Sequence, residues 1–393
     1  MAAGLACPYC YESFTAREIW FRCSGRPGRT GRRCAFERDP VLAERTGRRG
    51  DVGPAFRADG RKSSAVCPGC EGDTTYRICP VCRSTLPVQF GAVGHRLIAM
   101  VGAKASGKTV YMTVLLHELM NRVGAGLGTA LMASDDATIR RFGSDYEEQL
   151  YRHGRLFHGT RTAAANDGRV EPLVFRFSRS RGRLYRSRPQ HSVLSFFDTA
   201  GEDFNSRENV ELNTRYLASA DGVILVLDPL QMPGARPLAR PGTVLPGSEG
   251  VDEPVNVLSR VTNMLMARQQ GASGRITTPL AVVFAKLDAF WDTFDPGSPL
   301  RSHPPAGDRF DTADSLDVHE EVRRLLREWE GVRIDQDLEN HYRRYRYFGV
   351  SALGAGPTPD ALVAPTGIQP YRVADPLLWL LSEFGAVPRR GRG

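Results

Sequence analysis

Gly102-Ala103-Lys104-Ala105-Ser106-Gly107-Lys108-Thr109 decides the fold, because it fits G-x-x-x-x-G-K-[S/T] where that motif has a physical meaning. The apolar run Arg96 to Val101 before it reads as a strand, and Lys108 to Arg122 after it reads as a helix. A loop in that position turns backbone N–H groups toward phosphate oxygens at a helix N-terminus. Gly102, Ala105, Ser106 and Gly107 are therefore candidate phosphate contacts. Lys108 would reach the β and γ oxygens, and the Thr109 hydroxyl would ligate Mg2+. A plain glycine turn between strand and helix would need no Lys-Thr pair.

Outward from the loop, short apolar runs alternate with longer amphipathic segments, the pattern of an α/β fold with a mostly parallel sheet. Strands are expected at Arg96–Val101, Leu173–Phe177, Val193–Phe197, Gly222–Leu227, Leu280–Ala285 and Tyr347–Val350. Helices are expected at Lys108–Arg122, Ser206–Ala218, Val255–Gln270, Val318–Trp329 and Pro376–Phe384. The strands at Leu173 and Val193 follow one another without a helix, which predicts an antiparallel hairpin at one edge. Leu127–Arg169, Pro229–Pro254 and Asp292–Asp317 interrupt the alternation, and the second, rich in Pro and Gly, reads as a surface loop.

The chain has 393 residues, 41% hydrophobic and 24% charged, enough for a real core and unlike a disordered chain. Its longest apolar runs, such as Val223–Leu227 and Leu377–Leu381, fall far short of the ~18 residues a membrane span needs. Met1 to Cys10 has no basic patch with an apolar core behind it, so no secretory leader and a cytoplasmic setting are expected. The net charge is +8, and residues 1–90 hold most of it, with 15 Lys+Arg against 9 Asp+Glu. Only four of the 52 basic residues are lysines, so Lys104, Lys108 and Lys286 stand out.

Three further motifs lie at predicted strand ends, where open α/β sheets place their ligands. Asp198-Thr199-Ala200-Gly201-Glu202 is a D-x-x-G whose Asp198 could hold Mg2+ through water and whose Gly201 N–H could meet a γ-phosphate. Ala285-Lys286-Leu287-Asp288 matches the last three positions of N-K-x-D, and Asp288 can accept from the ring N–H and exocyclic amine of guanine. Ser351-Ala352-Leu353 resembles the loop whose backbone meets the guanine carbonyl.

Together the four motifs resemble a Ras-like P-loop GTPase of the translation-factor-related class, over about residues 93–385. The resemblance implies a three-layer α/β fold, GTP/GDP and Mg2+ as ligands, and a switch threonine between loop and D-x-x-G. Thr160 and Thr162 are the candidates, Thr162 preferred, with Arg161 between them a less favoured cis arginine finger. A cysteine-rich module in front of such a domain further resembles bacterial GTPases of the double-GTPase type, which implies a signalling or conflict system. Three positions depart from the pattern. Ala285 replaces an Asn that would tie the base loop to the phosphate loop, Glu202 replaces a water-orienting Gln, and Lys104 stands where a small residue is usual. Slow hydrolysis follows from Glu202, whose charge faces a γ-phosphate that is already negative; Lys104 could block a partner's arginine or supply a cation itself. A P-loop ATPase and a nucleotide-loaded scaffold that never turns over are the rival readings.

All eight cysteines lie in the first 82 residues. Cys67-x2-Cys70-x8-Cys79-x2-Cys82 carries two knuckles suited to one Zn2+, and Cys7, Cys10, Cys23 and Cys34 form a second four-thiolate set. Spacing equally permits an interleaved pairing, such as Cys7/Cys10 with Cys79/Cys82. Residues 1–90 are thus expected to form a zinc-ribbon module with a basic linker over 35–65. Tyr9, Tyr11, Phe14, Trp20 and Phe21 are expected to be its own core, and docking of a protein is favoured over nucleic acid. Residues 386–393 read as a solvated basic tail.

Asp288→Asn is expected to raise the preference for xanthosine over guanosine nucleotides by roughly tenfold to a hundredfold, the worth of charge-assisted hydrogen bonds to the base. Competition between the two nucleotides for the purified protein measures it.

Overall fold

Four parallel strands carry the phosphate loop: β1 (Ile98–Gly102), β5 (Gly222–Leu227), β6 (Leu280–Phe284) and β7 (Tyr345–Gly349), side by side in that order. The registers Ile98↔Gly222, Val223↔Leu280 and Leu280↔Tyr345 bring their carboxyl ends to one edge. Between β1 and β5 in sequence lie β2 (Thr129–Ala133), β3 (Leu173–Arg179) and β4 (Gln190–Phe196), an antiparallel sheet in sequence order. The helices are α1 (Lys108–Asn121), α2 (Pro254–Arg268), α3 (Thr312–Glu328), α4 (Val332–His341) and α5 (Asp375–Glu383). The computed structural model describes residues 4–87, 90–91, 96–157, 172–179, 190–196, 214–247, 253–268, 274–305 and 307–391.

Every residue of β5 is buried, as a parallel strand covered on both faces must be. Its side chains alternate between two cores. Val223, Leu225 and Leu227 face one built with α2, α3 and α4, while Ile224 and Val226 face another built with α1, α5, β3 and β4. The three-layer α/β architecture follows directly from that period of two.

The two sheets meet at β1 and β4, where a side chain joins them. The Tyr216 hydroxyl accepts from the Met100 N–H of β1 at 2.8 Å and donates to the Ser195 carbonyl of β4 at 3.1 Å. Tyr216 is 1% exposed and belongs to residues 214–219, a helical stretch.

The strand expected at Gly222–Leu227 has those bounds, and the other five expected strands are present with ends shifted by a few residues. The hairpin is antiparallel, with Leu173 opposite Phe196. Of the helix expected at Ser206–Ala218, residues 206–213 lie outside the described residues. Leu127–Arg169, which interrupts the alternation, holds over its described part β2, a helix at Asp136–Arg141 and a π-helix at Phe142–Arg152. Asp135 caps the first of these helices by accepting from Thr138 N–H at 2.7 Å. In the π-helix Phe142, Tyr146 and Leu150, four apart, are the buried residues and share one face. Residues 35–65 are not a bare linker, since Asp39-Pro40 starts a helix, Pro40–Thr46, and Ala55–Arg57 is a strand. The tail is not wholly free, since Arg389–Arg390 pairs in parallel with Phe310–Asp311.

Among the described residues no helix is long and apolar enough to cross a membrane.

Tyr216→Phe removes the hydroxyl and leaves the buried Met100 N–H without that partner. The expected cost is about 1–3 kcal/mol, read as a lower urea midpoint at unchanged slope.

Candidate functional site

At the carboxyl edge of the parallel strands lies a cavity of about 690 Å3, a size suited to a nucleotide. The loop after β1 forms its floor. Gly102 has no room for a side chain there: a Cβ would stand 2.7 Å from the Val226 carbonyl oxygen and 2.8 Å from Ser106 Oγ. Ala105 (φ 60°) and Gly107 (φ 83°) are both left-handed, which turns successive N–H groups inward. Lys104, Ala105, Ser106, Gly107, Lys108 and Thr109 all line the cavity, and Lys108 is 8% exposed. Thr109 brings a hydroxyl to the cavity beside Lys108.

The opposite wall carries the base-recognition candidates. Lys286, Asp288 and Ala352 line it, with Ala285 beside them. Ser351 lies behind and donates to Asp288 Oδ1 at 2.5 Å, while Gly354 N–H donates to the same hydroxyl at 2.9 Å. Burial pushes the Asp288 carboxyl up from its ordinary range, and the Ser351 hydrogen bond partly offsets this.

Several cavity residues were missed by reading the sequence. Leu156 and Phe157 line it from the end of the π-helix region, and Arg240 to Val244 of the Pro/Gly-rich stretch close another side. That stretch is pinned: Arg240 N–H donates to the Ala289 carbonyl at 2.8 Å and its side chain to Asp292 at 2.7 Å. Gly-Pro content marked it as a loop, but nothing local marked it as a wall. Thr160, Arg161, Thr162, Asp198, Gly201 and Glu202 lie outside the described residues.

A family model for Double-GTPase 2 matches residues 96–329, from just before the loop through α3. The chain belongs to the Double-GTPase 2 family. Its sheet, loop and cavity are those of an α/β P-loop GTPase fold. This Double-GTPase 2 chain is also similar to a candidate ESX-1 scaffolding and assembly protein, SaeC, of Mycolicibacterium smegmatis. The two are 29% identical over 410 residues, covering 97% of this chain and 99% of the relative. Among solved structures it is similar to the GTPase-like domain of S. cerevisiae Ski7 bound to GDP and phosphate, with 14% identity and a TM-score of 0.34. That likeness covers 74% of this chain and half the length of the Ski7 chain. A signal recognition particle receptor SRb–GTP/SRX complex from Chaetomium thermophilum matches at 14% identity and a TM-score of 0.31, covering 69% of this chain and 95% of that one.

The cysteines form two tetrads, Cys7/Cys10/Cys79/Cys82 and Cys23/Cys34/Cys67/Cys70. The consecutive pairing is overturned, and the interleaved alternative is the one the fold adopts. Strand Trp20–Arg22 runs antiparallel to Arg77–Ile78, with Trp20 opposite Ile78. Residues before Trp20 therefore meet those after Ile78, and Cys23 meets the knuckle that precedes Arg77. Within the tetrads Cys7–Cys82 and Cys10–Cys79 sulfurs are 3.8 Å apart, Cys23–Cys70 3.5 Å and Cys34–Cys67 3.7 Å. Tetrahedral Zn–S bonds of ~2.3 Å require about 3.8 Å, so both sets fit zinc. Backbone N–H groups of Tyr9, Gly25 and Val81 point at Cys sulfurs within 3.4 Å, as they do around thiolates.

The first tetrad's turn sits on the GTPase core. The Tyr11 ring packs at a tilt against Tyr216, with centroids 4.9 Å apart, and its carbonyl accepts from Ser219 Oγ at 2.8 Å. Ser195 Oγ of β4 donates to the Pro8 carbonyl at 2.8 Å, and Arg215 pairs with Glu12 at 2.8 Å. Tyr11 thus belongs to the large core and not to a core of the module's own, while Tyr9 and Phe14 pack with Val174 and Val193 of β3 and β4. The guanidinium groups of Arg57 and Arg83 each lie over the Trp20 ring, 4.8 and 4.9 Å from its centroid.

A Cys7→Ser/Cys79→Ser double variant is expected to lose one of two bound zinc ions, because both residues serve the same tetrad. Metal analysis of the purified protein reads it; loss of both ions would support the consecutive pairing instead.

Proposed function

We propose that this chain is a guanine-nucleotide switch that binds GTP with Mg2+, hydrolyses it slowly, and docks a protein partner through its zinc-ribbon module. The observation that carries the reading is one cavity that places Lys108 and Thr109 of the phosphate loop opposite an Asp288 held by Ser351. We assign residues 1–90 to the zinc module, 93–385 to the GTPase domain and 386–393 to a basic tail, in a reducing cytoplasm that keeps eight thiolates free for zinc.

Lys108 and the amides of Gly102 to Gly107 would hold the phosphates, and Thr109, Thr162 and Asp198 would hold Mg2+. The Gly201 N–H would meet the γ-phosphate, Glu202 would orient water, and Lys104 would supply positive charge at the loop. Lys286, Asp288, Ser351 and Ala352 would form the base site. Catalysis of this kind is positioning plus charge neutralisation, with no covalent intermediate. Glu202 places a carboxylate where an uncharged water-orienting group would serve hydrolysis better, which is why turnover is slow. That residue and Ala285 favour the second reading, a nucleotide-loaded scaffold, and the scaffolding description of the SaeC relative suits a protein partner in either reading.

The test extracts and identifies nucleotide from the zinc-loaded protein, then follows single-turnover hydrolysis of GTP and ATP side by side. Guanine nucleotide with slow GTP loss, on the order of 0.01 per second or less as for GTPases without an activator, supports the switch. Guanine nucleotide with no GTP loss supports the scaffold, and a preference for ATP overturns the base-site assignment.

A further inference from the structure

Two carbonyls on the outer side of the phosphate loop are held by long side chains reaching in from neighbouring strand ends. Gln231 Nε2 donates to the Lys104 carbonyl at 2.8 Å. Lys286 Nζ donates to the Ala105 carbonyl at 2.9 Å and pairs with Asp228 Oδ2 at 2.5 Å. Asp228 is wholly buried just after β5, and its other oxygen accepts from Leu230 N–H at 2.9 Å, which fixes the carboxylate and the turn leading to Gln231.

These bonds act on the ligand side of the loop through the geometry of the peptide group. A trans peptide that presents its C=O to one side presents its N–H to the other. The Lys104 carbonyl shares a peptide plane with the Ala105 N–H, and the Ala105 carbonyl shares one with the Ser106 N–H. Holding both carbonyls outward therefore fixes the direction of both amides without any contact to the ligand; that of Ser106 donates within the loop, to the Ala103 carbonyl at 3.3 Å. Ala105 also has a left-handed φ of 60°, an uncommon state for a residue with a Cβ, so the conformation needs support from outside the loop.

The chemistry of Gln231 points the same way. Its Oε1 is buried with no hydrogen-bond partner among the described residues, a cost that a methionine of similar shape would avoid. The amide is useful here only for its N–H donors, and the donor reaches the loop. Ala285, which begins the base motif, has no side chain that could do this work.

We propose that Asp228 and Gln231 are positioning residues for the nucleotide: with Lys286 they clamp the outer carbonyls of the loop and preset its amides for a nucleoside diphosphate or triphosphate. The proposal rests on reading the cavity as a nucleotide site. Because the clamp touches phosphate-binding backbone and not the base, its loss affects all nucleotides of that kind alike.

The experiment measures release of fluorescent N-methylanthraniloyl-GDP and its inosine counterpart by stopped flow from the full zinc-loaded chain, as Gln231→Met, Asp228→Asn and unaltered protein. Gln231→Met is expected to speed release about three- to tenfold and Asp228→Asn about tenfold or more, the worth of a hydrogen bond to a neutral and to a charged group. The factor should be equal for both bases, at an unchanged association rate and, for Gln231→Met, an unchanged melting midpoint without nucleotide. Release within twofold of the unaltered protein for both variants overturns the clamp, as does faster release by Gln231→Met that comes only with a lowered melting midpoint. If the unaltered protein binds neither probe, nor a fluorescent ADP used in their place, the nucleotide reading itself fails, and the clamp with it.

Discussion

The Tyr216 hydroxyl stands in the seam between β1 and β4, taking a proton donor from one strand and offering its own to the other. Backbone groups at such a seam must be paired, because an unpaired buried amide costs as much as a lost hydrogen bond. A phenol does here what a ladder of main-chain bonds would otherwise do, and its buried ring meets that of Tyr11 of the zinc module at a tilt, centroids 4.9 Å apart. One side chain thus joins the parallel sheet, the antiparallel sheet and the cysteine module.

That arrangement changes what the zinc module is. Its first turn is bonded to β4 and to residues 214–219 through Pro8, Tyr11 and Glu12, so this face is taken up within the chain. At the other end, around the second tetrad, Phe36, Val66 and Tyr76 are exposed. The two tetrads lie at opposite ends of the same short antiparallel pairing, Trp20–Arg22 with Arg77–Ile78. Zinc at each would tie the start of the module to its finish, which suits a segment whose own apolar content is too small for a core.

The nucleotide cleft is built from the ends of strands that are themselves fully buried, so the residues at its walls inherit rigid supports. Asp288 and Ser351 sit after β6 and β7, and Asp228 after β5. Arg240 to Val244 reach back over the cleft because Arg240 is tied at both its backbone and its guanidinium. A stretch that composition marks as a loop becomes a wall through two specific bonds.

The sequence alone determined the local chemistry: the loop Gly102 to Thr109, the strand before it and the helix after it, and the motifs at Asp288 and Ser351. These were legible because a phosphate-binding turn, a buried strand and a helix start each depend on residues near one another in the chain. It also marked the eight cysteines as candidate ligands, but spacing could not say which four come together. Only the antiparallel pairing of Trp20 with Ile78 decided that, since it sets which chain ends meet. The partner of Tyr11, the wall at Arg240 and the hold of Asp228 and Gln231 on the loop were likewise decided in three dimensions. Each joins residues tens to hundreds of positions apart, and no local pattern encodes a contact whose two halves are specified by distant segments of the chain.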